Sequence, residues 1–572
     1  MIFEVWAPRA TSVFVEIAGS RHPLAGRARG WWSADVPEAG HGTDYGFVVD
    51  GAGPYPDPRS RRQPEGVFGP SRLYDHDRFT WADHDWTGRD LRGSVVYELH
   101  IGTFTEAGTF TAAIERLDHL VELCVDFVEV MPVAPVPGMR NWGYDGVDLY
   151  AVNETYGGPD GLKEFVDACH GAGIGVILDV VYNHLGPSGN FLHPFGPYLT
   201  GFSGSFWGEA VNLDGPESDE VRRYLIDNAV QWLRDFHVDG LRLDAVHALH
   251  DKRAVHLLAE LAEEVDALAC SLGRPLSLIA ESDLNDPRVV TPLEAGGLGM
   301  TAQWNDDVHH ALHAAVTGER HGYYGDFGSM KTLAKALTSG FVHDGEFSTF
   351  RGRAHGRPAH GVPGHRFVCC LQNHDQIGNR AAGDRLSPAQ LRLGAGLLLT
   401  APFTPMLFMG EEWGARSPFL FFTDHVEPEL REGEADRRRR EFEGFGYDWA
   451  ALAPDPSLAD TFTRSKLDWG ELKDEPHWSL LGWYRDLIAL RKALPELSDP
   501  RTDRVRVDFD EDAQWLIMHR ASLSVIANFC PDSVTLTLPG GRVLLTSDEG
   551  VFAGREGLRI PGQALVIYRS ET

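Results

Sequence analysis

The pattern of hydrophobic and polar positions divides the chain into three parts. Up to about residue 88, short segments that alternate, or are rich in β-branched and aromatic residues, are separated by glycine and proline. This pattern predicts strands, at 2–8, 12–18, 31–36 and 45–50. We expect an N-terminal β-sandwich over 1–88. Residues 53–58 are predicted to be an ordered exit loop, because their prolines exclude a helix interior or a central strand.

From about residue 94, apolar runs alternate with longer amphipathic patterns typical of helices. Strands that are apolar on both faces, with helices between them, indicate a parallel sheet covered on both sides. Eight such repeats predict a closed (β/α)8 TIM barrel with insertions over residues 89–498. The apolar runs lie at 95–101, 125–131, 174–181, 238–244, 276–281, 301–304, 367–372 and 406–409. The helical patterns lie at 110–123, 159–170, 220–236, 254–269, 388–399 and 477–494, and the helix after the fifth run is poorly defined.

Residues 410–475 are predicted to form a long irregular insertion in the barrel. Its four consecutive arginines, 437–440, are expected on a solvated helix face. From about residue 499 the pattern predicts strands again, at 505–509, 515–519, 523–529, 534–538, 542–545 and 564–568. We therefore expect a C-terminal β-sandwich over 499–572, and assign the fold to the α/β class, with the barrel between two sandwiches.

Composition and charge narrow the partners that we expect. The chain has 572 residues, 43% of them hydrophobic and 24% charged, and a formal net charge of −31. That composition is typical of a globular protein. So negative a field repels nucleic acid and anionic membranes but does not oppose a neutral sugar. The few cysteines include no C-x-x-C pair, which fits a reducing cytoplasm without disulfides or a zinc site.

Two further motifs resemble a nucleotide-binding and a zinc-binding pattern, but neither is complete. The glycine-rich segment 171–176 resembles a dinucleotide fingerprint, but it ends a helix and opens a strand, the reverse of the required order. His309, His310 and His313 stand at helical spacing, but no further zinc ligand is suggested. We predict no metal and no nucleotide or redox cofactor.

Three acidic residues end or follow apolar runs: Asp244, Glu281 and Asp375. The active site of such a barrel lies at the carboxyl ends of its strands, so these side chains are expected to converge there. Side chains alternate along a strand, so Arg242 faces the same side as Asp244 and favours an ionised nucleophile. Glu281 follows a strongly apolar run, where burial or a nearby carboxylate would keep it protonated as a general acid. The alternative is that each acid only caps the helix that follows.

The segments around these acids resemble the α-amylase family of glycoside hydrolases. Residues 179–184, 240–244, 280–282 and 373–375 match four signature regions of that family in order. The resemblance implies that Asp244 is the nucleophile, Glu281 the general acid and base, and Asp375 the transition-state stabiliser of a retaining glycosidase. It also implies sugar contacts by Tyr144, His184, Arg242 and His374.

Other segments resemble one subgroup of that family, which cleaves the α-1,4 bond between a maltooligosaccharide and a terminal trehalose. These segments are 141–146, 243–247, 303–307 and 322–324, and the N-terminal sandwich resembles the early-set domain of branching and debranching relatives. The resemblance implies maltooligosyltrehalose and maltooligosaccharides as partners, with the segment 304–307 near the leaving group. Further substrate-binding residues that it implies are Asp145, His247, Trp304, Asn305, Asp306, Asp307, Asn373 and Gln376.

Two other functions are weighed. A branching or debranching enzyme of the same superfamily would use an acceptor glucan or an α-1,6 bond. A non-catalytic glycan-binding barrel commonly lacks one of the three acids, which are all present here. Asn183 matches a calcium ligand of many α-amylases, but the rest of that calcium site does not align with this sequence, so we predict no essential metal.

Overall fold

A computed structural model describes residues 1–201, 209–443, 453–555 and 557–571. At its centre, eight parallel strands close into a barrel, in which each strand pairs with the next and the last returns to the first. The predicted (β/α)8 barrel is therefore confirmed, and each strand overlaps its predicted apolar run. The strands are β1 (Val96–Leu99), β2 (Phe127–Val130), β3 (Gly175–Val180), β4 (Gly240–Leu243), β5 (Ser277–Ala280), β6 (Ala302–Trp304), β7 (Phe367–Cys370) and β8 (Thr404–Phe408).

Helices surround the barrel at the predicted places. The single helix predicted over 110–123 is two helices, because Arg116 leaves the helical conformation (φ −107°, ψ 2°). After β5 the chain forms only two 3₁₀ turns, Pro287–Val289 and Leu293–Ala295, where the helical pattern was poorly defined. The helices used below are α1 (Phe110–Ile114), α2 (Leu117–Leu123), α3 (Gly158–Gly171), α4 (Ser218–Asp235), α5 (Leu257–Leu272), α6 (Asp306–Thr317), α7 (Met330–Ser339), α8 (His374–Gly378), α9 (Pro388–Thr400), α10 (Pro428–Glu443) and α11 (His477–Ala493). Shorter helices are Ile101–Phe104, Ala459–Arg464 and Pro495–Ser498.

Two sheets precede the barrel. One contains Ile2–Trp6, Ala25–Gly26 and Trp31–Asp35, and the other contains Val13–Ile17, Ser20–Pro23, Asp44–Val49, Ala52–Tyr55 and Ser71–Arg72. The prediction of an exit loop from residue 53 is wrong at its start, because Ala52–Tyr55 is a strand at the edge of the second sheet. A proline is tolerated there because an edge strand does not need every backbone N–H for pairing.

Two antiparallel sheets also follow the barrel, as predicted. The first contains Val505–Asp510, Trp515–Arg520, Leu523–Asn528, Gly541–Thr546 and Ala564–Ser570. The second contains Val534–Leu536, Phe552–Gly554 and Gly557–Ile560. The last two of these strands were not predicted, because glycine and charged residues interrupt their pattern.

The predicted insertion 410–475 contains α10, and residues 444–452 of it lie outside the described part of the chain. The four arginines lie on α10 as expected, but the solvated face is wrong for Arg438. This side chain is buried, with Nη2 donating to the carbonyl of Gly378 at 2.8 Å and its guanidinium 4.3 Å from the Phe421 ring centre. No helix in the described ranges is long and apolar enough to cross a membrane.

The inside of the barrel is apolar toward the amino ends of the strands and charged toward their carboxyl ends. A buried cluster of inward-facing side chains fills the lower part, and it includes Val96, Phe127, Ile177, Ile279 and Val368. On β4, Leu241 and Leu243 pack outward into the main core, whereas Arg242 points inward, as strand alternation predicts. The charged groups above this apolar layer form the floor of a cleft.

Candidate active site

Arg242 forms the centre of the cleft floor. Its side chain is 0% exposed, and Nη1 donates to both carboxylate oxygens of Asp179, at 2.9 and 2.7 Å. The same nitrogen lies 3.1 Å from Asp244 Oδ1, and Nη2 donates to Glu281 Oε2 at 2.8 Å. One guanidinium therefore joins carboxyl groups from the ends of β3, β4 and β5. It lies beneath the residues that line the cleft rather than among them, and its contact with a sugar stays a prediction.

Asp244 is held from two sides at the end of β4. Arg242 donates to Oδ1, and the amide of Asn183 donates to Oδ2 at 2.6 Å and to the Asp244 carbonyl at 2.9 Å. The side chain remains 13% exposed to the cleft. Asn183, which resembled a calcium ligand, thus binds the aspartate itself. Among the described residues, no group of three or more His, Cys, Asp and Glu side chains is arranged to hold a metal ion.

Glu281 presents one oxygen to the protein and the other to the cleft. Oε2 accepts hydrogen bonds from Arg242 and, at 2.7 Å, from the backbone N–H of Ala245. Ala245 has a left-handed conformation (φ 38°, ψ 53°) that alanine rarely adopts, a strain typical of functional sites. Oε1 accepts no hydrogen bond from any described residue, so it can approach a substrate atom.

Asp375 lies at the start of α8 beside two predicted sugar-contacting residues. Its Oδ2 is 3.4 Å from His374 Nε2, and its Oδ1 accepts from the Asn379 amide at 3.2 Å. His374 Nε2 is also 2.8 Å from Tyr144 Oη. Asn373 instead caps α8, accepting the Gln376 N–H at 2.7 Å, and does not reach the cleft surface. Asp375 is 33% exposed and lines the same cleft as Asp244.

These side chains surround a cleft of about 500 Å³. The predicted residues that line it are Tyr144, Asp145, His184, Asp244, His247, Glu281, Asp306, His374, Asp375 and Gln376. The predicted residues that do not line it are Arg242, Trp304, Asn305, Asp307 and Asn373. The structure thus brings the three acids together with most of the predicted binding residues.

Of the predicted segment 304–307 only Asp306 lines the cleft, and the placement of the segment near the leaving group stays a prediction. Trp304 belongs to the core inside the barrel, where its ring lies 4.2 Å from the Arg242 guanidinium. Asn305 accepts from a backbone N–H at the start of α6, and Asp307 accepts from two backbone N–H groups after α7. Strand alternation sends the tryptophan inward, Asn305 caps α6, and Asp307 binds the loop that follows α7.

Asp306 is an acid of the cleft with a strongly raised pKa. Burial raises its pKa to about 8, and the neighbouring carboxylates, first that of Glu281, act in the same direction. The group is therefore mostly protonated at neutral pH. A neutral carboxyl can both donate and accept a hydrogen bond, which suits contact with a sugar hydroxyl.

The cleft is also lined by residues that were not among the predicted site residues. These are Asn141, Trp142, Ala245, Asp283, His310, Tyr323, Phe350, Arg351, Asn379, Phe421 and Arg438. His310 stacks on Tyr323 with 4.4 Å between the ring centres, and burial lowers its pKa to about 3. Phe350 is 52% exposed, which is unusual for an aromatic side chain. The sequence carries no signal for this exposure, so Phe350 could be recognised only from the structure.

A closed eight-stranded parallel barrel with two carboxyl groups joined by an arginine, and a third acid beside them, defines an α-amylase-type glycoside hydrolase. In agreement, residues 70–193 match the model of the alpha amylase catalytic domain, and residues 500–567 match a domain of unknown function. The comparison with curated proteins goes further. The chain belongs to the malto-oligosyltrehalose trehalohydrolase family of glycosidases.

The malto-oligosyltrehalose trehalohydrolase of Arthrobacter ramosus is 54% identical over 100% of this chain and 99% of its own length. That of Rhizobium sp. (strain M-11) is 52% identical, over 99% and 97%. A solved structure from Salmonella typhimurium is 37% identical in sequence and superimposes with a TM-score of 0.91. The match covers 100% of this chain and 97% of that chain. A 1,4-alpha-glucan branching enzyme of Bacillus cereus is only 30% identical, over 72% of this chain and 66% of its own length. The alternative of a branching enzyme therefore rests on a distant relative.

Proposed function

We propose that the chain hydrolyses the α-1,4 bond joining a maltooligosaccharide to a terminal trehalose, with retention of anomeric configuration. The names of the relatives that match its full length support the substrate. The observation that carries the mechanism is Arg242 bound to both Asp244 and Glu281. One guanidinium can bond to two carboxyl groups only when these lie close together. Retaining enzymes hold their carboxyl groups about 5–5.5 Å apart, whereas inverting enzymes leave about 6.5–9.5 Å for a water molecule.

The reaction proceeds in two displacements. Asp244 attacks the anomeric carbon and forms an ester, while Glu281 gives its proton to the glycosidic oxygen and trehalose departs. Water then attacks the same carbon, Glu281 takes a proton from that water, and the bond to Asp244 breaks to release the maltooligosaccharide. Asp375 and His374 bind sugar hydroxyls beside the carbon on which positive charge develops.

The two sides of the cleft bind different parts of the substrate. The leaving group lies on the side of its proton donor, Glu281, where Asp283 pairs with Arg351 and Phe350 contacts the Tyr323 ring at 5.9 Å. Trehalose therefore binds against this aromatic and charged wall, since an aromatic face covers the apolar face of a sugar. The maltooligosaccharide binds on the opposite side, which includes Tyr144, Asp145 and His184.

Product chromatography tests the substrate assignment. The purified protein is incubated with maltotriosyltrehalose and, separately, with maltopentaose. We expect trehalose and maltotriose from the first and little change in the second. Equal cleavage of both would assign a general amylolytic activity instead, and products with new α-1,6 bonds would assign a branching enzyme.

A Glu281→Gln variant is expected to lose about 10²- to 10⁴-fold in kcat on maltotriosyltrehalose, because the leaving oxygen then receives no proton. Fluoride leaves without protonation, so α-maltosyl fluoride should still react once with the variant. A rapid burst of about one fluoride per enzyme molecule, followed by slow turnover, is the predicted result. Undiminished kcat on maltotriosyltrehalose would show that Glu281 is not the acid.

A Phe350→Ala variant is expected to lose about tenfold in kcat/KM on maltotriosyltrehalose, ~1.4 kcal/mol of binding in the transition state. The cause is the loss of the aromatic surface on the leaving-group side. Phe347→Ala is the matched control, because Phe347 is 63% exposed but lies outside the cleft. Equal effects of the two substitutions would refute the placement of trehalose at this wall.

A further inference from the structure

A buried ion pair of Glu98 and His374 lies directly beneath the cleft and is not assigned by the mechanism above. Glu98 is on β1 and His374 opens α8, and each side chain is 1% exposed. Glu98 Oε1 lies 2.5 Å from His374 Nδ1, and Oε2 accepts the backbone N–H of His374 at 3.0 Å. One carboxylate thus holds both the ring and the backbone of the histidine.

The second ring nitrogen of His374 also faces acceptors. Nε2 lies 2.8 Å from Tyr144 Oη and 3.4 Å from Asp375 Oδ2. Tyr144 gives its only proton to Asp179 at 2.6 Å, so its oxygen can only accept from the histidine. Because both ring nitrogens face acceptors, both carry a hydrogen, which is the bonding pattern of an imidazolium.

We propose that Glu98 is a positioning residue for the glycosidase reaction, holding His374 as an imidazolium whose Nε2–H faces Asp375 and the bound sugar. A neutral ring with its proton on Nδ1 would instead turn a lone pair toward the Asp375 carboxylate. Such a ring would repel that carboxylate and could not donate to a sugar hydroxyl. This inference rests on the proposed function, because it assigns a role within that reaction.

Other charged and titratable groups around His374 agree with this protonation state. Burial lowers the pKa of His374, but the carboxylates of Asp375 and Glu98 outweigh it and raise the pKa to about 9, against the opposing charge of Arg242. Burial and the neighbouring Glu98 carboxylate raise the pKa of Glu129 well above its usual range, so Glu129 is neutral there. The groups that face the ring are Glu98 on β1, Glu129 on β2, Asp179 on β3, Arg242 on β4, Asp375 on α8, and His100 and Tyr144 on loops.

The test is a Glu98→Gln variant assayed on maltotriosyltrehalose across pH. Removing the carboxylate is expected to lower the pKa of His374 by about 1–3 units. The alkaline limb of kcat should move to lower pH, by at most that amount, because Glu281 must also be protonated. At neutral pH, kcat should fall about 10- to 100-fold, as when a carboxylate that orients a metal-binding histidine is lost. KM should change much less, because Glu98 does not touch the substrate.

Glu412→Gln is the matched control for the loss of a buried glutamate. Glu412 is 0% exposed, pairs with His119 at 2.7 Å, and does not line the cleft. Its replacement is expected to lower the melting temperature without moving the pH profile. If Glu98→Gln has the same kcat and pH profile as Glu412→Gln, the proposed role of Glu98 is refuted, while hydrolysis by the wild-type enzyme still supports the function.

Two measurements separate this inference from folding and from the function itself. In ¹⁵N-histidine spectra of the wild-type enzyme, the signal missing from a His374→Gln variant should stay protonated above pH 8. Titration of that signal near its ordinary value of about 6.5 would overturn the proposal even if Glu98→Gln does not fold. In a double-mutant cycle, Glu98→Gln should cost little further activity once His374 is replaced. Additive losses would also refute the proposal.

Discussion

Replacing Asp244 by asparagine is expected to reduce kcat by at least about 10⁴-fold, equivalent to ~5.4 kcal/mol of transition-state stabilisation. The amide has nearly the same size but cannot form the ester with the anomeric carbon. Oligosaccharide binding should be largely retained, because Asp244 contributes only part of the cleft surface. The measurements are single-turnover rates and calorimetric titration with maltotriosyltrehalose.

Asp219→Asn on α4 controls for the chemical change, because Asp219 is 80% exposed and lies outside the cleft. It should keep wild-type kcat. Undiminished hydrolysis by Asp244→Asn would remove the nucleophile from the proposed mechanism. Loss of both binding and activity would show instead that the asparagine disturbs the cleft.

Replacing Arg242 by methionine is expected to cost about 3–5 kcal/mol of stability and nearly all activity. The substitution leaves three acidic groups without their shared cation, and breaking a buried ion pair from one side is strongly destabilising. Burial already raises the pKa of Asp179 to about 7, even with Arg242 acting in the opposite direction. Without the arginine this carboxyl should be protonated at neutral pH.

Arg222→Met is the matched control for the loss of a buried arginine. Arg222 is 2% exposed and pairs with Asp251 and Glu260, away from the cleft. Both variants should have lower melting temperatures, but the folded fraction of Arg222→Met should keep its kcat. If Arg242→Met kept kcat in the same way, the role of Arg242 in linking the two catalytic carboxyl groups would be wrong.

The sequence predicts the barrel well because each buried parallel strand is mostly apolar, which leaves eight clear runs. The three acids were found for the same reason, since Asp244 and Glu281 directly follow such runs. Asp375 follows the seventh strand by a few residues, and its motif places it. Position along a strand is therefore enough to locate the chemistry at one end of the barrel.

The walls of the cleft could not be predicted in this way. Phe350 and Arg438 lie in insertions that have no strand or helix period pointing at the site, and only tertiary packing brings them to it. Trp304 is the opposite case. Its motif placed it near the substrate, but its position on β6 directs the ring into the barrel core beneath Arg242.

The most direct test of the account is a proton NMR time course of maltotriosyltrehalose with the wild-type enzyme, recorded faster than sugars mutarotate. Trehalose has no free anomeric centre, so the maltotriose formed reports the stereochemistry alone. A retaining hydrolysis beside the trehalose unit should give free trehalose and, in the first spectra, the α-anomer of maltotriose. The β-anomer appearing first, or cleavage without free trehalose, would contradict it.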